Sequence, residues 1–172
     1  DKPFVTVNCA AIPDALLESI LFGHVRGACT GASFNKLGEF QKADGGTLFL
    51  DEVGELPVML QAKVLRAVEQ GEVQPLGSNE APARVDVRLI CATNRDLEAM
   101  AKTGAFRDDL YYRLSVMTLE LPPLRAYKDN LEVLAGVFLE QAARAHGKKA
   151  PRLGPAVLAR LHGYDFPGNV RE

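Results

Sequence analysis

Two adjacent acids close an apolar run in LFLDE, residues Leu48 to Glu52. In open α/β sheets, ligand sites form at the carboxyl ends of the strands. A nucleotide-bound Mg²⁺ takes oxygen ligands and keeps several waters, which suits Asp51. Glu52 suits orienting and deprotonating a water aimed at a γ-phosphate. Taken alone, the dipeptide reads more simply as a solvated strand end. A second apolar run ends in CATN (Cys91 to Asn94). There Thr93 and Asn94 suit a hydrogen bond to a phosphate or to the attacking water, or else a cap for the following helix. FRDDLYYR (Phe106 to Arg113) carries Arg107 and Arg113. The planar arginine fork matches phosphate oxygens, and an arginine presented to a neighbouring subunit's γ-phosphate would stabilise transition-state charge. Pairing with Asp108, Asp109 or other surface acids is the plainer alternative.

The elements that must position these groups follow from periodicity. FVTVN (Phe4 to Asn8) alternates and is β-branched, so it predicts a strand. Leu16, Leu17, Ile20 and Leu21 stand at helical spacing within Ile12 to Phe22. Gly23 to Asn35 reads as a loop, and Leu37 to Ala43 as a short helix. GGTLFL (Gly45 to Leu50) is a turn leading into a strand buried on both faces. Leu60, Val64, Leu65 and Val68 make one stripe of a helix over Pro57 to Gln70, ended by Gly71. Glu72 to Leu76 and Ala83 to Val87 suggest a hairpin. Val87 to Ala92 is another buried strand. Asp96 to Ala101 and Phe106 to Leu114 are short helices, and Val116 to Leu121 a strand. Pro122 and Pro123 then break the pattern, and helices over Asp129 to His146 and Pro155 to His162 follow. The organisation is an α/β layer to about residue 122 and a helical appendage over 123–172.

Bulk properties exclude several classes. The chain has 172 residues, 47% apolar and 24% charged, as in ordinary globular domains. Twenty basic and twenty-two acidic residues give a net charge of −2, with no basic stripe for nucleic acid. Cys9, Cys29 and Cys91 are far apart and odd in number, which argues against a disulfide framework or a zinc site and makes a reducing cytoplasm the default setting. No apolar run is long enough to cross a membrane, and DKPFV is no signal peptide. The missing initiator Met and the helix-like opening NVRE (Asn169 to Glu172) predict a piece of a longer protein.

VNCAAIP, LFGH, GACTGA, ADGGTLFLDE, CATN, FRDDLYYRL and PGNVRE occur in that order along the chain. Together they resemble the central AAA+ ATPase domain of bacterial enhancer-binding proteins, the activators of sigma-54 RNA polymerase. The resemblance implies an α/β fold: a P-loop-type parallel sheet sandwiched by helices, without its N-terminal part, followed by a partial helical lid. It implies ATP and Mg²⁺ as cofactors. Asp51 would be the Walker B residue holding magnesium through water, and Glu52 the catalytic glutamate. Asn8 would be the switch asparagine that holds that glutamate, and Thr93 and Asn94 would be sensor I. Arg107 and Arg113 would be trans-acting fingers, and Arg171 the sensor II arginine reaching the nucleotide from the lid. The implied partners are the sigma-54 holoenzyme and further copies of the chain in a ring, a hexamer in this family. DNA recognition would belong to a separate domain. A generic AAA+ ATPase acting on another protein, or a non-hydrolysing binding module, are the alternatives.

Gly27, Ala28, Cys29, Thr30, Gly31 and Ala32 match the family's GAFTGA loop, which touches sigma-54 and moves with the nucleotide cycle. Gly27 and Gly31 give the backbone two-state freedom. The family's usual aromatic is Cys29 here, and a phenyl ring buries far more surface than a thiol. No G-x-x-x-x-G-K-[ST] phosphate loop occurs. HGKK (His146 to Lys149) lacks the upstream glycine and the final hydroxyl. Such a loop supplies much of the phosphate grip, so hydrolysis is expected of the parent protein and not of this segment alone.

Overall fold

The chain forms two compact units, Asp1–Thr118 and Leu119–Glu172. The computed structural model describes residues 2–29 and 31–172. The first unit contains, in chain order, β1 (Phe4–Asn8), α1 (Asp14–Phe22), β2 (Gly23–His24), β3 (Lys36–Leu37), α2 (Glu39–Lys42), β4 (Thr47–Asp51), α3 (Val58–Gln70), β5 (Glu72–Val73), β6 (Ala83–Arg84), β7 (Arg88–Cys91), α4 (Leu97–Lys102) and α5 (Asp108–Leu114).

The apolar run before Asp51 becomes the middle strand of a parallel sheet of order β1-β4-β7. Its register pairs Val7 with Leu50, Asn8 with Asp51, and Leu50 with Cys91. Leu48 and Leu50 are fully buried and lie in one core with Val7, Leu17, Leu21, Phe22, Phe40, Val64, Phe106 and Leu110. Each large apolar side chain so buried contributes about 1.5–3 kcal/mol, which fixes the register against a one-residue slip that would turn these residues outward. Helix α3 packs on α5 and β5. Gly71 closes it in the left-handed conformation, its N–H bonding Ala67 O.

Three expectations change. Neither β4 nor β7 is buried on both faces: in β4 only Leu48 and Leu50 are buried while Thr47 and Phe49 are half-buried, and β7, last in the strand order, has Leu89 and Cys91 half-buried and Arg88 and Ile90 exposed. The loop over Gly23 to Asn35 has an ordered base. Gly23 pairs with Leu37 and His24 with Lys36 in an antiparallel ladder, and Val25 N donates to Leu76 O at 3.0 Å. Val116 to Leu121 forms no strand. Its alternating pattern is present, but it joins no hydrogen-bond ladder among the described residues, and Val116 and Leu121 stay 83% and 91% exposed. An alternating pattern needs a neighbouring strand to become one.

The second unit is helical: 3-10 turns at Leu124–Ala126 and Lys128–Asn130, then α6 (Leu131–Ala145), α7 (Pro155–His162) and a last 3-10 turn at Asn169–Arg171. Leu131, Leu134, Phe138, Leu161 and Phe166 line its apolar pocket. Asn169 Oδ1 accepts Leu124 N at 3.0 Å, tying the two ends of the unit.

Backbones also cross closely at the hairpin base. A Cβ on Gly38 would fall 2.3 Å from the Phe22 carbonyl carbon and 2.5 Å from Gly23 N. Gly38→Ala is therefore expected to cost about 1–3 kcal/mol through forced backbone displacement, read as a lower denaturant midpoint with an unchanged m-value.

Candidate functional site

The carboxyl ends of β1, β4 and β7 bring four of the sequence-predicted residues together. Because Asn8 and Asp51 occupy paired positions, their side chains emerge side by side, and Asn8 Nδ2 donates to Asp51 Oδ2 at 3.1 Å. The other end of the Asn8 amide caps the 3-10 turn at Cys9–Ala11: Oδ1 accepts from Ala10 N and Ala11 N at 3.0 and 3.1 Å. The asparagine is thus fixed at both ends. The sequence reading places Asn8 against Glu52; in the structure its amide engages Asp51 instead. Register explains the difference, since Glu52 lies one step beyond the paired position.

Glu52 has a left-handed backbone, φ 54° and ψ 50°. A residue with a Cβ rarely adopts this conformation outside functional sites and turns. It ends the strand abruptly and starts the 3-10 turn Val53–Glu55. Val53 N then donates to Ala92 O at 3.0 Å, and Asn94 N donates to Glu52 Oε2 at 3.3 Å, so the ends of β4 and β7 are joined beyond the sheet. Thr93 Oγ1 accepts Arg95 N at 3.1 Å within a turn, and the cap of the following helix is Asp96, whose side chain accepts Ala99 N at 2.9 Å.

Asp51 suits a cation held partly through water. Oδ1 accepts Glu52 N at 3.1 Å and Oδ2 accepts the Asn8 amide, which leaves lone pairs on both oxygens. No cluster of three or more His, Cys, Asp or Glu ligands occurs among the described residues. The donor set fits an ion bound by one carboxylate, waters and phosphate oxygens better than an all-protein cage.

Arg107 stands immediately before α5, and its guanidinium makes a two-pronged pair with Asp109, Nε to Oδ1 at 3.0 Å and Nη2 to Oδ2 at 2.7 Å. The pairing holds the Asp109 carboxyl below the usual range. Both partners are exposed, so the pair contributes little to stability. It borders an open cleft of about 390 Å³ that also includes Phe106 and Asp108. Arg113 is exposed in the last turn of α5 and has no ion pair among the described residues. Arg171 is exposed on the last 3-10 turn of the second unit.

The hairpin of β2 and β3 carries the glycine-bounded loop. Gly27 and Gly31 have φ of 82° and 90°, and a Cβ on either would meet open space. Gly27 N bonds Ala32 O at 2.8 Å and Ala32 N bonds Cys29 O at 3.0 Å, closing a compact turn. Cys29 is exposed, Ala28 half-buried and Ala32 buried. Thr30 lies outside the described residues. At the loop's base His24 Nδ1 and Ser19 Oγ lie 2.6 Å apart.

Two residues here escaped the sequence reading. Arg95 pairs with Glu55 at 2.6 Å and reaches Gly54 O at 3.4 Å, bracing the turn after Glu52. Its signal was only a basic residue after CATN. Gln61 is fully buried on α3. Its signal was clearer: a polar side chain three residues before Val64, on the apolar stripe itself.

The comparisons with known proteins agree over nearly the whole chain. A family model described as the sigma-54 interaction domain matches residues 1–120, and one described as the AAA+ ATPase lid domain matches residues 125–172. The regulatory protein LuxO of Vibrio cholerae is 55% identical over 99% of this chain and 32% of its own length. The transcriptional regulatory protein ZraR of Escherichia coli is 51% identical over 100% of this chain and 39% of its own. The chain therefore spans about a third of the length of these curated relatives. The crystal structure of NtrX from Brucella abortus superposes with a TM-score of 0.88 at 37% identity, covering 99% of this chain and 38% of that one. NtrX has also been solved with ADP and with ATP.

The site's thiols are electrostatically quiet. Burial, with the Asp51 carboxylate adding to it, pushes Cys9 up to about 11; burial and then the neighbouring Cys9 push Cys91 up to about 12. A raised thiol pKa means less thiolate at a given pH, on the order of a thousandth for Cys9 at pH 8. Folded protein at pH 8 is expected to release one fast equivalent of chromophore from a disulfide reagent, at exposed Cys29. Cys9 and Cys91 should react only on unfolding. Peptide mapping of the labelled product checks this.

Proposed function

The chain belongs to the sigma-54 interaction domain family of AAA+ proteins, and from that premise we propose that its parent is an ATPase that remodels sigma-54 RNA polymerase to activate transcription. One observation carries this reading most directly: Asn8, Asp51, Glu52 and Asn94 converge at one edge of a parallel sheet, with Glu52 held in a left-handed conformation. The nucleotide-bound forms of NtrX support a nucleotide as the ligand of the homologous fold.

In this reading Asp51 would hold Mg²⁺, with Asn8 fixing the carboxylate's orientation. The bound ion would neutralise charge developing on the phosphates. Glu52 accepts a proton from the attacking water, and the Asn94 N–H holds its other oxygen. Thr93 and Asn94 report the γ-phosphate, and Arg171 takes the sensor II role that the family resemblance implies. Arg107 and Arg113 act in trans on the ATP of the next subunit in a ring, a hexamer in this reading. Asp109 then holds the Arg107 fork until a phosphate displaces it. The sequence has no phosphate loop of the G-x-x-x-x-G-K-[ST] type, so hydrolysis is assigned to the parent protein. Hydrolysis shifts the loop from Gly27 through Thr30 to Ala32 against sigma-54 in the cytoplasm, and DNA is met through a separate domain.

Glu52→Gln in the full-length protein is expected to lower ATP turnover about 10²–10⁴-fold while nucleotide binding is kept. Steady-state phosphate release and fluorescent-nucleotide titration measure the two. Unchanged turnover would remove Glu52 from this role. Cys29→Phe is expected to strengthen the sigma-54 complex trapped with a transition-state mimic, because the ring adds apolar contact. Gel retention of that complex is the measurement.

A further inference from the structure

We infer that Gln61 is a positioning residue for Arg107, holding the arginine where it can act on a neighbouring subunit's nucleotide. The inference rests on the trans-acting reading of Arg107 given above.

Among the described residues only Ser19 and Gln61 are buried polar side chains, and Gln61 is 0% exposed. It stands on the apolar stripe of α3, where a leucine or methionine would fill the same volume. A buried amide without partners is strongly unfavourable, so its presence calls for directed bonds. It makes three, all to main chain. Nε2 donates to Leu56 O at 2.8 Å and to Ala105 O at 3.3 Å, and Oε1 accepts Arg107 N at 2.8 Å.

Those three peptide groups belong to two functional segments. Leu56 closes the 3-10 turn that begins immediately after Glu52, with Leu56 N bonded to Val53 O at 3.2 Å and Glu55 N to Glu52 O at 2.9 Å. Ala105 and Arg107 flank Phe106, which is buried in the core, and Arg107 is the residue that opens α5. The Arg107 backbone is extended, φ −75° and ψ 132°, so no helical bond restrains its N–H. Gln61 supplies that restraint. It fixes the start of the arginine side chain relative to the turn that follows the carboxylates, while the guanidinium outside swings between Asp109 and an incoming phosphate. Apolar packing at this position would hold α3 against α5, but it could not set the Arg107 peptide plane.

Gln61→Met keeps side-chain length and burial and removes all three bonds. In the full-length protein, kcat for ATP is expected to fall up to about 10²-fold, with KM little changed, because a misplacement near 1 Å has that effect on turnover. The distinguishing readout is subunit mixing. Gln61→Met subunits retain their own carboxylates, and Glu52→Gln subunits retain a well-placed arginine. Rings mixed from the two impaired variants should regain hydrolysis, as should rings mixed from Arg107→Ala and Glu52→Gln. Wild-type turnover by Gln61→Met would overturn the inference. So would recovery with Arg107→Ala but none with Gln61→Met, which would place Gln61's effect on its own subunit or on folding. If Arg107→Ala turns over normally or is not recovered by mixing, the trans reading itself falls and the inference with it. Should Gln61→Met show no cooperative melt, Gln61→Leu, which also keeps apolar volume and removes the bond to Arg107 N, is mixed and read by the same criteria.

Discussion

In a parallel sheet, side chains at paired positions emerge on the same face, and the pairing of Asn8 with Asp51 sets the candidate site. Burial of Leu48 and Leu50 fixes that register. Any other register would separate the amide from the carboxylate. From the same strand ends come the cap at Cys9–Ala11, the turn at Val53–Glu55 and the contact from Asn94 N to Glu52. A hydrophobic constraint inside the sheet thus does the orienting work for polar groups at its edge, and those groups need few bonds of their own.

Much of this was legible in the residues. GGTLFLDE announces a buried strand and its acidic end, and the stripe of Leu60, Val64 and Val68 announces α3. These patterns are local, and burial enforces them. Val116 to Leu121 shows where locality fails. It alternates as a strand should, yet pairing is a relation between two segments, and one segment's pattern cannot supply the other. The hairpin base escaped for a related reason: two rungs, Gly23 with Leu37 and His24 with Lys36, leave no periodicity to read. Gln61 and Arg95 escaped because their partners are main-chain groups or acids on turns. Motif comparison weighs side-chain identity and says little about which peptide group a buried amide will reach.

The two halves of the candidate machinery are built to different standards of rigidity. The carboxylate edge and the Arg107 backbone are tied into the core through the sheet register and Gln61. The Arg107 guanidinium and Cys29, the groups read as meeting other chains, are exposed and held by contacts that water or a partner can replace. The loop bearing Cys29 closes on its own amides, so its shape depends little on the side chain it presents.

Glu52 carries a cost within this arrangement. Its left-handed backbone is strained by about 1–2 kcal/mol for a residue with a Cβ. Glycine would relieve that strain, so a drift toward a more stable fold at this position runs straight toward loss of the acid. Stability and the carboxylate thus pull in opposite directions at this one position, and a more stable variant is reached most directly by giving up the acid.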